Sequence, residues 1–317
     1  MELLQYTLRK LIAGIPLIFG VTFISFLLMV YFGPDKTYDL LGKNPTEQQI
    51  AEIRSELGYD QPFVARYFNY VTELATLNFG RSESTGEQVN DLLARTIPVS
   101  LALVTPGFVL GNLFGVLLAL FAASRRGSWV DKTIMGCSAV GMSISFLIAI
   151  IAFQLVFSSS YGLGWFPVRG WNIHSPLDYL RYVTVPTLAT VFVALGYNTR
   201  FYRAVIVEEL SRDHVRTAKA FGVSPAKILS VHVLKNCAIP IITRVVFSIP
   251  FIVISGSLLL ETYFGIPGVG KVAFDAITTG NQPVLKAVVG LTAVLFVLAQ
   301  ILTDILYRVA DPRVSLN

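Results

Sequence analysis

Five predominantly apolar runs constrain this chain more than any other feature: residues 11–32, 99–123, 134–157, 239–260 and 284–306. At about 1.5 Å of helical rise per residue, each run is long enough to cross roughly 30 Å of hydrocarbon. A soluble fold of 317 residues has no comparable way to hide them, and 54% hydrophobic against 14% charged residues leaves too little polar surface for one. The expected fold class is therefore an all-α integral membrane protein. A sixth run starts near Val183 and passes through VPTLATVFVALGY, but it gives way to Asn198, Thr199 and Arg200, so hydropathy alone leaves it open.

Charge placement decides that sixth run. Arg9 and Lys10 precede the first run, Arg125, Arg126 and Lys132 fill the short loop after the second, and Arg308 and Arg313 lie near the end. The stretch 200–235 carries seven Lys or Arg against three acids. Counting the sixth run puts all these basic segments on one side, as the positive-inside rule requires, and gives six transmembrane helices with cytoplasmic N- and C-termini. The +5 net charge thus follows membrane sidedness, and nucleic acid is not an expected partner. The first run opens like a signal peptide, yet no small-residue cleavage site follows it, so it is expected to remain as an anchor.

The resulting organisation is a first transmembrane helix at 1–32, an extracytoplasmic cap at 33–97, and a core of five transmembrane helices at 98–317 with a cytoplasmic loop at 208–240. The cap carries ten acids against six bases. Within it, TEQQIAEIRSELG predicts a short helix capped by Thr46 and stopped by Gly58. Trp165, Trp171 and nearby tyrosines in a second outer loop suit the headgroup level.

Chemistry-bearing residues are sparse. His174, His214 and His232 lie in separate segments and Cys137 and Cys237 have no ligand spacing, so no metal site and no catalytic constellation is expected. The stretch GIPGVGK at 265–271 fits the first seven positions of a phosphate-binding loop, but Val272 stands where a Ser or Thr would hold magnesium and an apolar run, not a strand, precedes it. It is better read as a turn that lets the chain re-enter the protein. Arg244 sits inside the fifth run, within reach of the surface by snorkelling, placed for a structural pair, or available to line a translocation path. Asp304 and Arg308 are spaced to pair, Lys286 to reach headgroups, and Gly111 with Gly115 and Gly136 with Gly141 to allow close helix approach. Pro106 and Pro250 are expected to kink their helices.

The basic segment RDHVRTAKAFGVSPAKILSVHVLKNCAIP, 212–240, has the grammar of a helix-turn-helix elbow. Ser211 is placed to cap a first helix, Gly222 to supply a left-handed stop, and Ser224 with Pro225 to start a second.

These residues resemble the integral-membrane permease subunits of bacterial and archaeal ABC importers, in particular the dipeptide, oligopeptide and nickel permease family. The family's loop pattern of Glu-Ala-Ala, three residues and Gly corresponds to Arg216-Thr217-Ala218, Lys219-Ala220-Phe221 and Gly222, with Arg and Thr in place of Glu and the first Ala. Glu209 and Asp213 before the loop, and His232, Asn236 and Pro240 after it, continue the likeness. Further matches are Asn78 to Ser82, RRGSWVDK at 125–132, GLGWFPVRG at 162–170, ETYFGIPGVG at 261–270 and the tail Asp311-Pro312-Arg313.

The resemblance implies the ABC type I importer permease architecture, in a bacterial or archaeal cytoplasmic membrane. It implies that 208–240 docks on an ATPase, with Ala218, Ala220 and Gly222 facing that partner. Glu261, Phe264, Pro267, Gly268 and Gly270 would form an outer gate. A second permease subunit, two cytoplasmic ATPases and an extracytoplasmic substrate-binding protein would complete the machine. ATP and magnesium would bind those ATPases, with no cofactor and no catalysis on this chain. Peptide is the expected cargo, with nickel chelates or another small solute as the alternative. A stand-alone secondary transporter would need an internal repeat and paired ionisable groups near the midplane, and neither is evident.

Overall fold

The computed structural model describes residues 2–32, 37, 41, 46–56, 58–253 and 257–310. The tail 311–317 and the side chains of Lys10 and Arg308, and with them the expected Asp304–Arg308 pair, lie outside the described residues. The helices are α1 (Glu2–Phe32), α2 (Glu47–Glu56), α3 (Phe63–Ala75), α4 (Val89–Ser124), α5 (Trp129–Ser143), α6 (Phe146–Phe157), α7 (Pro176–Leu210), α8 (Asp213–Ala220), α9 (Ala238–Phe251), α10 (Ser257–Phe264), α11 (Val269–Thr279) and α12 (Gln282–Ala310). Between α8 and α9 a helical turn at Pro225–Lys227 continues as a π-helix at Ile228–Val233.

Among the described residues, four helices can each cross a bilayer by length and composition: Ile12–Tyr31 of α1, α4, α7, and Gln282–Tyr307 of α12. Two bent pairs raise the number to six if each is one span: α5 with α6, bent by 100°, and Pro225–Val233 with Ala238–Pro250, bent by 60°. The expectation of one continuous helix over 134–157 is therefore corrected. Ile144 and Ser145 adopt extended backbone (ψ 128 and 139), which ends α5 and starts α6 in a new direction. The uncertain run at Val183, by contrast, lies in one unbroken helix of 35 residues. Ser175 starts that helix by accepting from the Asp178 N–H at 3.2 Å, with Pro176 in the first turn where its missing N–H costs nothing.

The chain divides into two compact units. The first comprises Met1–Arg95 and Val272–Val297. Its centre is an aromatic cluster of Phe23 and Phe26 on α1 with Phe63, Tyr67 and Tyr70 on α3, ring centroids 5.2 to 6.4 Å apart. The predicted helix at 47–56 is present, with its capping box: the Thr46 N–H donates to Gln49 Oε1 at 3.0 Å and Gly58 turns the chain at φ +67. Lys286, expected at headgroups, instead pairs with Glu73 and lies over the Tyr70 ring. The Asn281 amide donates to Ser82 and Ser84 at 2.9 and 3.0 Å, tying down the Asn78–Ser82 motif.

The second unit comprises Thr96–Lys271 and Leu298–Asn317. Its axis is α7, against which α4, α5 and α6 pack. Gly107, Gly111 and Gly115 of α4 face Thr190, Ala194 and Asn198 of α7, and a Cβ at each would come within 2.7 to 2.9 Å of its neighbour. This four-residue ladder brings two backbones together within one chain. Gly141 of α5 meets Gly196 of α7 in the same way, whereas Gly136 has nothing within 4 Å. The polar end of α7 is helical because its side chains are satisfied internally. Asn112 Oδ1 accepts from Asn198 Nδ2 (3.2 Å) and from the Tyr202 hydroxyl (2.6 Å), and Arg203 binds both oxygens of Asp131 at 2.5 Å. Low hydropathy there reflects packing inside protein, not exposure to water.

Candidate functional site

Three features of the second unit carry the residues singled out by sequence: the elbow, the turn after α10, and a cavity beside α7.

In the elbow, Val215 and Ala218 are buried one turn apart on α8, in a cluster with Ala119 and Ala123 of α4, Tyr202 and Ile206 of α7, Ile228 and Val233 of the π-helix, and Cys237. The opposite face exposes Arg216, Thr217, Lys219 and Ala220. Ala218 therefore faces its own protein, which corrects the expectation that it faces a partner; only three-residue spacing from Val215 decides this. Gly222 supplies the stop as expected, at φ +75, with the Val223 N–H returning to Ala218 O at 3.1 Å. Ser211 does not cap α8. It ends α7, its hydroxyl donating to Glu208 O at 2.6 Å, and Arg212 occupies the N-cap position.

At the start of α8 a polar cluster joins the two arms of the elbow. Glu209, only 6% exposed at the end of α7, binds Arg212 Nε at 2.9 Å and lies 3.3 Å from His214 Nε2. The same His214 nitrogen lies 3.1 Å from the side-chain amide of Asn236, just before α9. Glu209 and Asn236, 27 residues apart, are thus held through one imidazole. Asp213, Arg216 and Thr217 stand on the exposed α8 surface, His232 lies in the π-helix and Pro240 in the first turn of α9.

Two features, one in the elbow and one beside it, escaped the sequence. Phe221 is 83% exposed at its tip, an apolar ring offered to the surroundings. Asp131, 3% exposed, locks the RRGSWVDK loop onto α7 through Arg203 and also accepts the Gly127 N–H at 2.9 Å. The exposed ring has no sequence signal, because a Phe in an amphipathic helix normally faces inward; the ion pair spans 72 residues, beyond any local pattern.

The turn after α10 is closed on itself. Glu261, fully buried, accepts Ser100 Oγ at 2.5 Å on one oxygen and the Lys271 N–H at 2.9 Å on the other, while Ser100 Oγ accepts the Val269 N–H at 2.8 Å. The carboxylate thus caps the N-terminus of α11, where backbone donors and the helix dipole favour negative charge. A Cβ at Gly268 would fall 2.3 Å from the Glu261 carboxyl carbon, and one at Gly270 would fall 2.4 Å from the Leu258 nitrogen. Phe264 is buried and its carbonyl accepts the Gly170 N–H at 2.8 Å; Pro267 is exposed. Glu261 follows the last residue of the apolar run 239–260. Burial pushes its carboxyl above the ordinary Glu value, against the lowering effect of Ser100 and the Lys271 and Gly270 amides. The likeness to a phosphate-binding loop is explained: the donors such a loop would aim at phosphate are taken by the chain's own carboxylate and hydroxyl, and the segment follows a helix.

A cavity of about 290 Å³ opens beside α7, lined by apolar side chains with Asn112, Thr190, Tyr197, Asn198, Arg244 and Ser248. Arg244, on α9, stacks its guanidinium over the Phe201 ring at 5.3 Å.

The helical architecture, the elbow and the cavity describe a polytopic transport protein, and comparison with known proteins gives the family. The model for the binding-protein-dependent transport system inner membrane component matches residues 115–316, and that for its N-terminal part matches 3–104. A putative peptide transport system permease of Brucella abortus is 33% identical over 312 residues, covering 97% of this chain and 98% of the relative. A di/tripeptide transport system permease of Pseudomonas aeruginosa is 33% identical over 336 residues (98% and 99%), and a dipeptide transport system permease of Bacillus subtilis 30% over 315 (99% and 98%). The chain belongs to the family of binding-protein-dependent transport system inner membrane components, the permeases of ABC transporters. It is thus a multi-pass protein of the cytoplasmic membrane and a permease, not itself an enzyme.

Proposed function

We propose that this chain forms one half of the translocation pathway of an ATP-driven importer of peptides. In this reading the chain has six spans, with both termini and the elbow in the cytoplasm and the turn at Glu261 on the outer side; the basic charge of the short segments supports that sidedness. A second permease completes the pathway, two ATPases dock on the two elbows, and a binding protein delivers peptide from outside. The peptide names of the relatives support the cargo.

The observation that carries this reading is the construction of the elbow. A short helix transmits force only if it is fixed from behind and accessible in front. Val215 and Ala218 fix α8 apolarly, Glu209, His214 and Asn236 fix it by polar contacts, and Phe221 stands free at its tip. A ring of that exposure is a natural anchor for a partner's pocket. Drawing the two ATPases together moves such elbows as rigid levers and favours one cavity orientation over the other.

The test is proximity. A cysteine replacing the exposed Ala220 is expected to cross-link to the ATPase in the assembled transporter, with a yield that changes when ATP is added. Absence of any cross-link to the ATPase from Ala220→Cys, in a complex that still transports, would remove the elbow from the docking role.

A further inference from the structure

The cavity beside α7 has an unusual electrostatic composition. Arg244 is its only charged lining residue among those described, and it takes part in no ion pair among them. A cation in an apolar wall is costly unless something neutralises it. Stacking on Phe201 satisfies the face of the guanidinium, while its N–H donors point outward from the edge in a planar fork that matches a carboxylate. The neighbouring Asn112 accepts from both the Asn198 amide and the Tyr202 hydroxyl, which fixes the polar patch without supplying a negative charge.

We infer that Arg244 reads the C-terminal carboxylate of a peptide as it passes through this cavity. The inference rests on the proposed peptide cargo and adds a site to it. A permease that accepts peptides of varied sequence can hold them only by what they share, and every free peptide ends in a carboxylate. The cavity is about 290 Å³, at the small end of the roughly 300 to 1,000 Å³ typical of small-molecule sites, and suits the end of a peptide rather than a long chain. Its mostly apolar walls accept side chains without choosing among them, so the charge-assisted bond to Arg244 supplies the fixed point. With no acidic residue among the described lining, this chain offers nothing equivalent to the N-terminal ammonium.

The experiment uses the complete transporter in lipid nanodiscs without its binding protein, so that selection by that protein does not interfere. The probes are the photoreactive dipeptide alanyl-p-benzoylphenylalanine and its C-terminal amide. The free acid is expected to label wild-type permease about tenfold more than the amide, the scale of one charge-assisted hydrogen-bond pair. Arg244→Gln is expected to reduce acid labelling to the amide level, and Arg244→Lys to keep a clear acid preference. Should Arg244→Gln fail to assemble, the Lys variant and the wild-type acid-to-amide ratio still decide. Equal labelling by acid and amide in the wild type, or an acid preference that survives Arg244→Gln, overturns the inference while leaving peptide transport intact. Labelling by neither probe, together with no peptide uptake by the complete system, overturns the cargo reading beneath it.

Discussion

The elbow and the turn after α10 treat their polar groups in opposite ways. At the turn, the carboxylate of Glu261 is fully buried and consumes the amides of α11, and Gly268 leaves no room for anything else. At the elbow only Glu209 of the polar cluster is buried; its partners Arg212, His214 and Asn236 are exposed, as are Phe221 and the face of Arg216 and Ala220. The turn is closed on itself; the elbow leaves an apolar ring exposed, which in the proposed function an ATPase covers. Mutations at the turn should therefore act on stability, and mutations at the elbow on coupling.

The largest effect is expected from Glu261→Ala. Removing the buried carboxylate orphans the Lys271 amide and the Ser100 hydroxyl, and should destabilise the protein by about 4 kcal/mol, read as a lower thermal unfolding midpoint in detergent. Gly268→Ala pushes a methyl group into the same carboxylate and should cost about 2 kcal/mol in that assay. Gly222→Ala forces a side chain into left-handed backbone, about 1 kcal/mol in stability, but should lower peptide uptake more than that loss explains because it reshapes the end of α8. Phe221→Ala should change stability by less than about 0.5 kcal/mol while weakening ATPase association about tenfold in a pull-down titration. If the last two reverse, with Phe221 stabilising and Gly222 silent in uptake, the contrast between the regions fails.

The difference also explains what was legible in the sequence. Gly222, Thr46 and Gly58 announce their turns because a positive φ or a cap is a local requirement. The helix at 176–210 was visible only through charge sidedness, since Asn198, Tyr202 and Arg203 are satisfied by α4 and α5, residues far away in sequence. The 100° bend at Ile144 and Ser145 was hidden because hydropathy is averaged over a window, which the two small polar residues Ser143 and Ser145 barely alter. Ala218 was misplaced because a small residue signals close approach without saying to what. The motif at 261–270 was recognisable as a unit, but the role of Glu261 depends on Ser100, 161 residues earlier.

The most direct test of the account is the number of peptides imported per ATP hydrolysed by the complete transporter in proteoliposomes, compared between wild type and Phe221→Ala. A coupling elbow predicts that uptake falls about tenfold at saturating ATP while the permease itself unfolds at an unchanged temperature. Wild-type uptake and an unchanged ratio with Phe221→Ala would contradict it.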